Sequence, residues 1–409
     1  MTFQEKLAQF AELAVKVGVN IQKGQTLLIN TTTDTIEFTR LVVKEAYAAG
    51  AGRVTVNFSD GEIDRAFFDN APEDEFSKYP RWISEQRDEL IERKGALLWI
   101  DAADPDLLSG VPVSKLSAQQ KAAGKALANY RNAVMNDKVA WAIIAVPSKQ
   151  WAAKVFPNVE ADKQVEALWE AIFKTVRIGE GNAVENWQGH LENLDTRAAI
   201  LNAKRFAKLH YTAPGTDLTI ELPDKHIWQT GASKTPEKTS FVANMPTEEV
   251  YTMPSKYGVN GTVSNTKPLV FQGNIIDDFK LTFENGKIVK AEAGVGNDLL
   301  QELIKADEGS KYLGEVALVP HESPISASNI LYYNTLFDEN ASNHLAIGEA
   351  YPTCYEGGSA LSPEQLEEHG INTSITHEDF MIGSADMNID GVLADGTVEP
   401  IFRNGSWAF

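Results

Sequence analysis

The sequence predicts two parts: an α/β N-terminal domain with a parallel sheet, residues 1–190, and an α+β, largely antiparallel β domain, residues 191–409. Three observations predict this. Helical periodicity alternates with continuous apolar runs in the first half. Period-two alternation and hairpin turns replace that pattern after about residue 195. The chain has 409 residues, long enough that one core stops growing and two or three domains are expected.

In order along the chain, Phe3, Leu7, Phe10, Ala11 and Ala14 recur at helical spacing and stop at Gly18. Gln25–Asn30 (QTLLIN) reads as a buried strand, and Phe38, Leu41, Val42, Ala46 and Ala49 as the apolar face of a helix that Asp34 can cap. Gly50 ends that helix, and Arg53–Phe58 (RVTVNF) is the next strand, completing a βαβ unit with a parallel crossover. Ala96–Asp101 (ALLWID) and Val139–Val146 (VAWAIIAV) extend the series as strands apolar on both faces. Helices are expected near 80–94, 115–135 and 162–177. Such a fold invites a nucleotide, but no G-x-G-x-x-G follows the first strand and no Walker-type loop exists, which argues against one. In the second half a helix over 196–208 leads into strands. Asp217–Leu222 alternates with period two. Asn285-Gly286 joins Phe279–Phe283 to Lys287–Ala291 as a hairpin, and Asp395-Gly396 is a second turn. A helix is expected over Asp298–Lys305.

Lys and Arg total 37 against 57 Asp and Glu, a net charge of −20. That excess argues against nucleic acid and against anionic membranes, both of which need clustered cations. Solubility accounts for most of it. The single cysteine, Cys354, excludes an intrachain disulfide and fits a reducing, cytoplasmic compartment. The first residues show neither a basic nor an apolar signal segment, and no run of about 18 apolar residues predicts a transmembrane helix.

Four polar segments stand out in the second half, where six of the seven histidines lie. Asn244–Pro254 (NMPTEEVYTMP) holds Glu248 and Glu249, which in extended backbone must point to opposite sides. Glu315 opens an apolar strand-like run, where a carboxylate needs a cation or the rim. Leu336–Tyr351 (LFDENASNHLAIGEAY) carries Glu339 and His344 in a turn-like stretch. Ile375–Gly383 (ITHEDFMIG) puts His377 and Asp379 at i and i+2, on one face of a strand, with Glu378 pointing away. Taken singly, each is read as readily as a solvated loop, a rim ion pair, a structural histidine or surface polarity. Jointly they have the composition of a two-metal hydrolytic site: carboxylates and two imidazoles without a thiolate.

These segments, with Gly314-Glu315, resemble in order and spacing those of the aminopeptidase T / aminopeptidase S / PepS family, thermophilic-type bacterial metallo-aminopeptidases. The resemblance spans essentially the whole chain. It implies metal ligands at Glu249, Glu315, Glu339, His344, His377 and Asp379, with Glu249 favoured over Glu248. It implies a site tyrosine, Tyr351, donating to a developing oxyanion, and Glu315 as the bridging carboxylate and proton shuttle. It further implies two divalent ions per chain (zinc, cobalt or manganese, with magnesium possible by ligand type), peptide substrates with a free N-terminus, and a homodimer. Two other readings share this ligand set: a mononuclear Fe(II) ring-cleaving dioxygenase, for which two His and one carboxylate suffice, and a non-catalytic metal-binding protein. The surplus of carboxylates favours two ions.

Overall fold

The computed structural model describes residues 1–102, 104–179 and 181–409. It divides into two compact units, Met1–Asn193 with Gly231–Thr247, and Leu194–Thr230 with Glu248–Phe409.

The first unit is built on a five-stranded parallel sheet. Its strands are β1 (Thr26–Thr32), β2 (Arg53–Ser59), β3 (Ala96–Asp101) and β4 (Trp141–Ala145), in the order β4-β3-β1-β2, with the short strand Asn244–Met245 beyond β4. The apolar runs are buried strands, as their lack of alternation predicts: Leu27, Leu28, Ile29, Leu97, Leu98, Ile100 and Ile144 are all inaccessible or nearly so. The helix Phe3–Leu13 starts with a capping box between Thr2 and Glu5. It packs Phe10 against Phe38, Trp169 and Phe173, which come from the helices Ile36–Ala48 and Gln164–Thr175. Truncating Phe10, which is fully buried, would cost about 3–5 kcal/mol.

Gly231–Thr247 lies in the second half of the sequence but packs with the first unit. Ala232–Lys234 pairs with Ser240–Val242, and Asn244 and Met245 run parallel to Ile143 and Ile144 of β4. The segment covers what would otherwise be the open edge of β4, which gives a physical reason for the return. The expected helix at 196–208 also differs. It runs Ala183–Lys204, and Lys208 already begins a strand.

The second unit holds two antiparallel sheets. The larger has nine strands, with Asn274–Glu284 and Lys287–Val295 joined by the predicted turn, in which Asn285 (φ 48°) and Gly286 (φ 81°) both occupy the left-handed region. A Cβ on Gly286 would meet the Lys256 carbonyl, so only glycine fits. The smaller sheet runs Gln229–Thr230, β5 (Val250–Thr252), β6 (Leu313–Leu318), β7 (His344–Gly348) and β8 (His377–Met381), in that spatial order. Among the described residues no helix is long and apolar enough to cross a membrane.

Candidate metal centre

Residues paired across an antiparallel ladder share a face. In the smaller sheet Glu315 pairs with Ala346, and Ala346 with Asp379; Gly348 pairs with His377, and Ala317 with both His344 and Tyr251. One face therefore carries Glu315, His344, His377 and Asp379. The small residues Ala317, Ala346 and Gly348 between them leave room for the long polar ones. Glu249, two residues before Tyr251, has the same parity, and Glu248 the opposite one. A register irregularity between Leu313 and Glu315 falls on Gly314, where a Cβ would lie 2.3 Å from the Glu349 carbonyl oxygen. Such bulges re-aim the next side chain.

The result is a cluster of five residues. His344 Nε2 lies 3.1 Å from Glu249 Oε2, 3.5 Å from Glu315 Oε1 and 3.9 Å from Asp379 Oδ1. His377 Nε2 lies 3.4 Å from Glu315 Oε2 and 3.7 Å from Asp379 Oδ2. The potential ligand atoms form two sets, Glu249/Glu315/His344 and Glu315/His377/Asp379, each within 4.8 Å of one another. Glu315 belongs to both.

Both imidazoles are oriented from behind. His344 Nδ1 lies 2.9 Å from the Glu339 carbonyl oxygen, and His377 Nδ1 lies 2.7 Å from that of Glu349. With Nδ1–H donated backward, each Nε2 lone pair faces the cluster, the arrangement metal-binding histidines use. Glu339 is buried in the turn before β7 and lies outside both sets. It is close enough that Asp379, Glu249 and Glu315 raise its pKa by their charge. Tyr351 places its ring 5.0 Å from that of His377 and 5.7 Å from that of Tyr251. Cys354 is buried in an apolar cluster with Met253, Leu366 and Ile371, against which Tyr251 and Tyr351 pack.

Burial and the charges within the cluster set its titration behaviour. Burial pushes Glu315 up, but hydrogen bonds and charge from His344 and His377 outweigh it and bring it to about 2. Burial and neighbouring carboxylates raise Asp379 to about 6 and Glu339 well above the ordinary range. Burial alone would lower both imidazoles, yet the carboxylates hold His377 at about 10 and His344 well above its usual value. Burial, then the same acids, keep the Tyr351 hydroxyl protonated. Retained protons offset the concentrated negative charge, a role that a divalent cation would also fill. Asp379 Oδ1 is buried and accepts no hydrogen bond. Oxygen and imidazole donors, no thiolate and an unused buried carboxylate oxygen fit divalent ions.

Sequence reasoning missed Asn340. Its Oδ1 accepts from the Glu248 backbone N–H at 2.7 Å and its Nδ2 donates to Glu339 Oε1 at 3.2 Å, tying two segments together. The F-D-E-N string contains it, but only tertiary contact shows its use.

The thermophilic metalloprotease (M29) family profile matches residues 3–407. The chain is 54% identical to aminopeptidase AmpS of Bacillus subtilis over the full length of both, and 48% identical to aminopeptidase 2 of Geobacillus stearothermophilus over 100% of this chain and 98% of that one. The solved structure of wild-type AmpT from Thermus thermophilus superposes with a TM-score of 0.91 at 37% identity, covering all of both chains. These relatives lend no support to the dioxygenase alternative.

Proposed function

The chain belongs to the thermophilic metalloprotease family, M29, and is a metallo-aminopeptidase; on that premise we propose that it releases N-terminal residues from peptides with two divalent ions held on the smaller sheet of the second unit. The observation that carries the two-ion reading is the overlap of the two ligand sets at Glu315. Glu249 and His344 would serve one ion, His377 and Asp379 the other, and Glu315 would bridge them. Glu339 would stand beside the pair. When bound, the ions supply Lewis acidity, polarising the scissile carbonyl and making water more acidic. Imidazole ligands favour zinc, cobalt or manganese over calcium or magnesium.

The chain's own residues do the rest. The Glu339 and Glu349 carbonyls fix both rings. Tyr351 keeps its proton and donates a hydrogen bond to the developing oxyanion. Glu315, the carboxylate that the two sets share, would also shuttle the proton to the leaving amine, as the resemblance implies. The acidic groups around the site also attract the substrate's free α-ammonium, which accounts for exopeptidase cleavage. A cytoplasmic homodimer completes the reading: a lone, buried Cys354 supports the compartment, and the family resemblance supports the dimer.

Hydrolysis of an aminoacyl-anilide and its N-acetyl counterpart by chelator-stripped protein tests this. Activity should return with Co²⁺, Zn²⁺ or Mn²⁺ on the free amine only. No activity with any of the three refutes the proposal.

A further inference from the structure

The parallel sheet of the first unit has a topological switch point. The crossover from β1 leads to β2 on one side, and β3 lies on the other side of β1 with β4 beyond it. The loops after β1 and β3 therefore diverge, and in open α/β sheets the crevice between such carboxyl ends is where ligands bind. Here that crevice is a cleft of about 540 Å³. Asn30 and Thr32 of β1, Asn57 of β2, Trp99 and Asp101 of β3, and Arg87 of the helix Arg81–Glu92 line it. All belong to the first unit, and the metal cluster's residues to the second.

The lining has donors with no acceptors. Arg87 lies 5.7 Å from the Trp99 ring centroid and 4.8 Å from that of Tyr130, and its Nε and Nη1 are buried without a hydrogen-bond acceptor. Ring faces stabilise a guanidinium, but buried N–H donors still call for an acceptor. The Asn30 Nδ2 and Thr32 Oγ1 atoms are likewise buried and unpartnered. Asn30 is held in place, since its Oδ1 accepts from Asn57, which donates in turn to Gln86. On the rim, Trp82 is 73% exposed and Phe58 45%, so apolar surface stands beside the polar floor. A carboxylate meets the Arg87 donors; the Asp101 carboxylate suits an ammonium; the rim aromatics suit an apolar side chain. The absence of a glycine-rich loop argues against a dinucleotide.

We propose that this cleft binds a free α-amino acid with an apolar side chain, its carboxylate held by Arg87. Free amino acids are what an aminopeptidase releases, so the site would place a product of the reaction on a unit that carries none of the candidate metal ligands.

The test is calorimetric titration of the full-length, metal-loaded protein with phenylalanine, 3-phenylpropionate, phenethylamine and inorganic phosphate. Phenylalanine should bind saturably, 3-phenylpropionate more weakly, and phenethylamine not at all at this site. Arg87→Met should weaken phenylalanine binding roughly tenfold or more, as loss of a charged hydrogen bond does. Thr32→Val, which keeps shape and strand propensity, should weaken it about two- to fivefold, and this remains readable if the Arg87 variant folds poorly. Equal affinity in wild type and both variants overturns the proposal. So does binding of phosphate without phenylalanine, or no saturable binding of phenylalanine. The readout is binding, so it stands or falls separately from peptide hydrolysis.

Discussion

Replacing Glu315 by glutamine keeps the shape and one hydrogen-bonding oxygen while removing the charge that both ligand sets share. In the metal-free protein that carboxylate sits 3.5 Å from His344 Nε2 and 3.4 Å from His377 Nε2, and its pKa falls from the ordinary 4.5 to about 2. A folded pKa below the unfolded one means stability that is present above about pH 4.5 and lost as pH falls toward 2. At roughly 1.4 kcal/mol per pH unit, the gap is worth about 3 kcal/mol. Urea unfolding of metal-free wild type and Glu315→Gln between pH 2 and 7 reads this directly. The variant should be less stable by that order at pH 6–7, with the difference closing toward pH 2. Added metal at a hundredfold excess over Kd should stabilise wild type by about 2.7 kcal/mol for a single site. The variant should gain less, because both sets lose a ligand. Equal stability at neutral pH together with an equal gain on metal addition would refute the shared-carboxylate reasoning.

Three further outcomes are expected. Because His344 and His377 hold protons above neutral pH in the metal-free cluster and must lose them to ligate, metal binding at pH 7.5 should release roughly two protons per chain; calorimetry in buffers of different ionisation enthalpy measures this, and zero release contradicts it. Tyr351→Phe retains the ring against His377 but lacks the donor, so kcat should fall about 10²–10³-fold with KM and metal content unchanged; a wild-type kcat removes Tyr351 from the mechanism. Burial raises Asp137 from 3.8 to about 7 against the hydrogen bond from Ser233. Its raised pKa makes stability greatest below about pH 4 and lower as pH rises toward 7. Asp137→Asn, also at ease at φ 52°, should therefore be more stable than wild type at pH 8 by on the order of a few kcal/mol and nearly equal at pH 4. Identical denaturation curves at pH 8 would contradict that assignment.

Elements with a local cause were legible in the sequence. The buried strands of the parallel sheet follow from continuous apolar runs such as Ala96–Ile100 and Val139–Val146. The Asn285-Gly286 turn follows from two residues that tolerate positive φ. The shared face of His377 and Asp379 follows from a period of two in β8. The motif string also located the polar segments and, through their joint order, the family.

What the sequence could not decide is which of these groups meet. Glu249 and Asp379 are 130 positions apart, and only the ladder register that sets Glu315 opposite Ala346, and Ala346 opposite Asp379, puts their side chains on one face. The bulge at Gly314 depends on a carbonyl 35 residues later. Asn340 acquires its role from Glu248, 92 positions earlier. Gly231–Thr247 joins the first unit because β4 has an edge to cover. Periodicity and turn chemistry are set by neighbours within a few residues. Register, bulges and edge pairing are set by which distant backbone groups find each other, and the metal centre and the cleft at the switch point both depend on that choice.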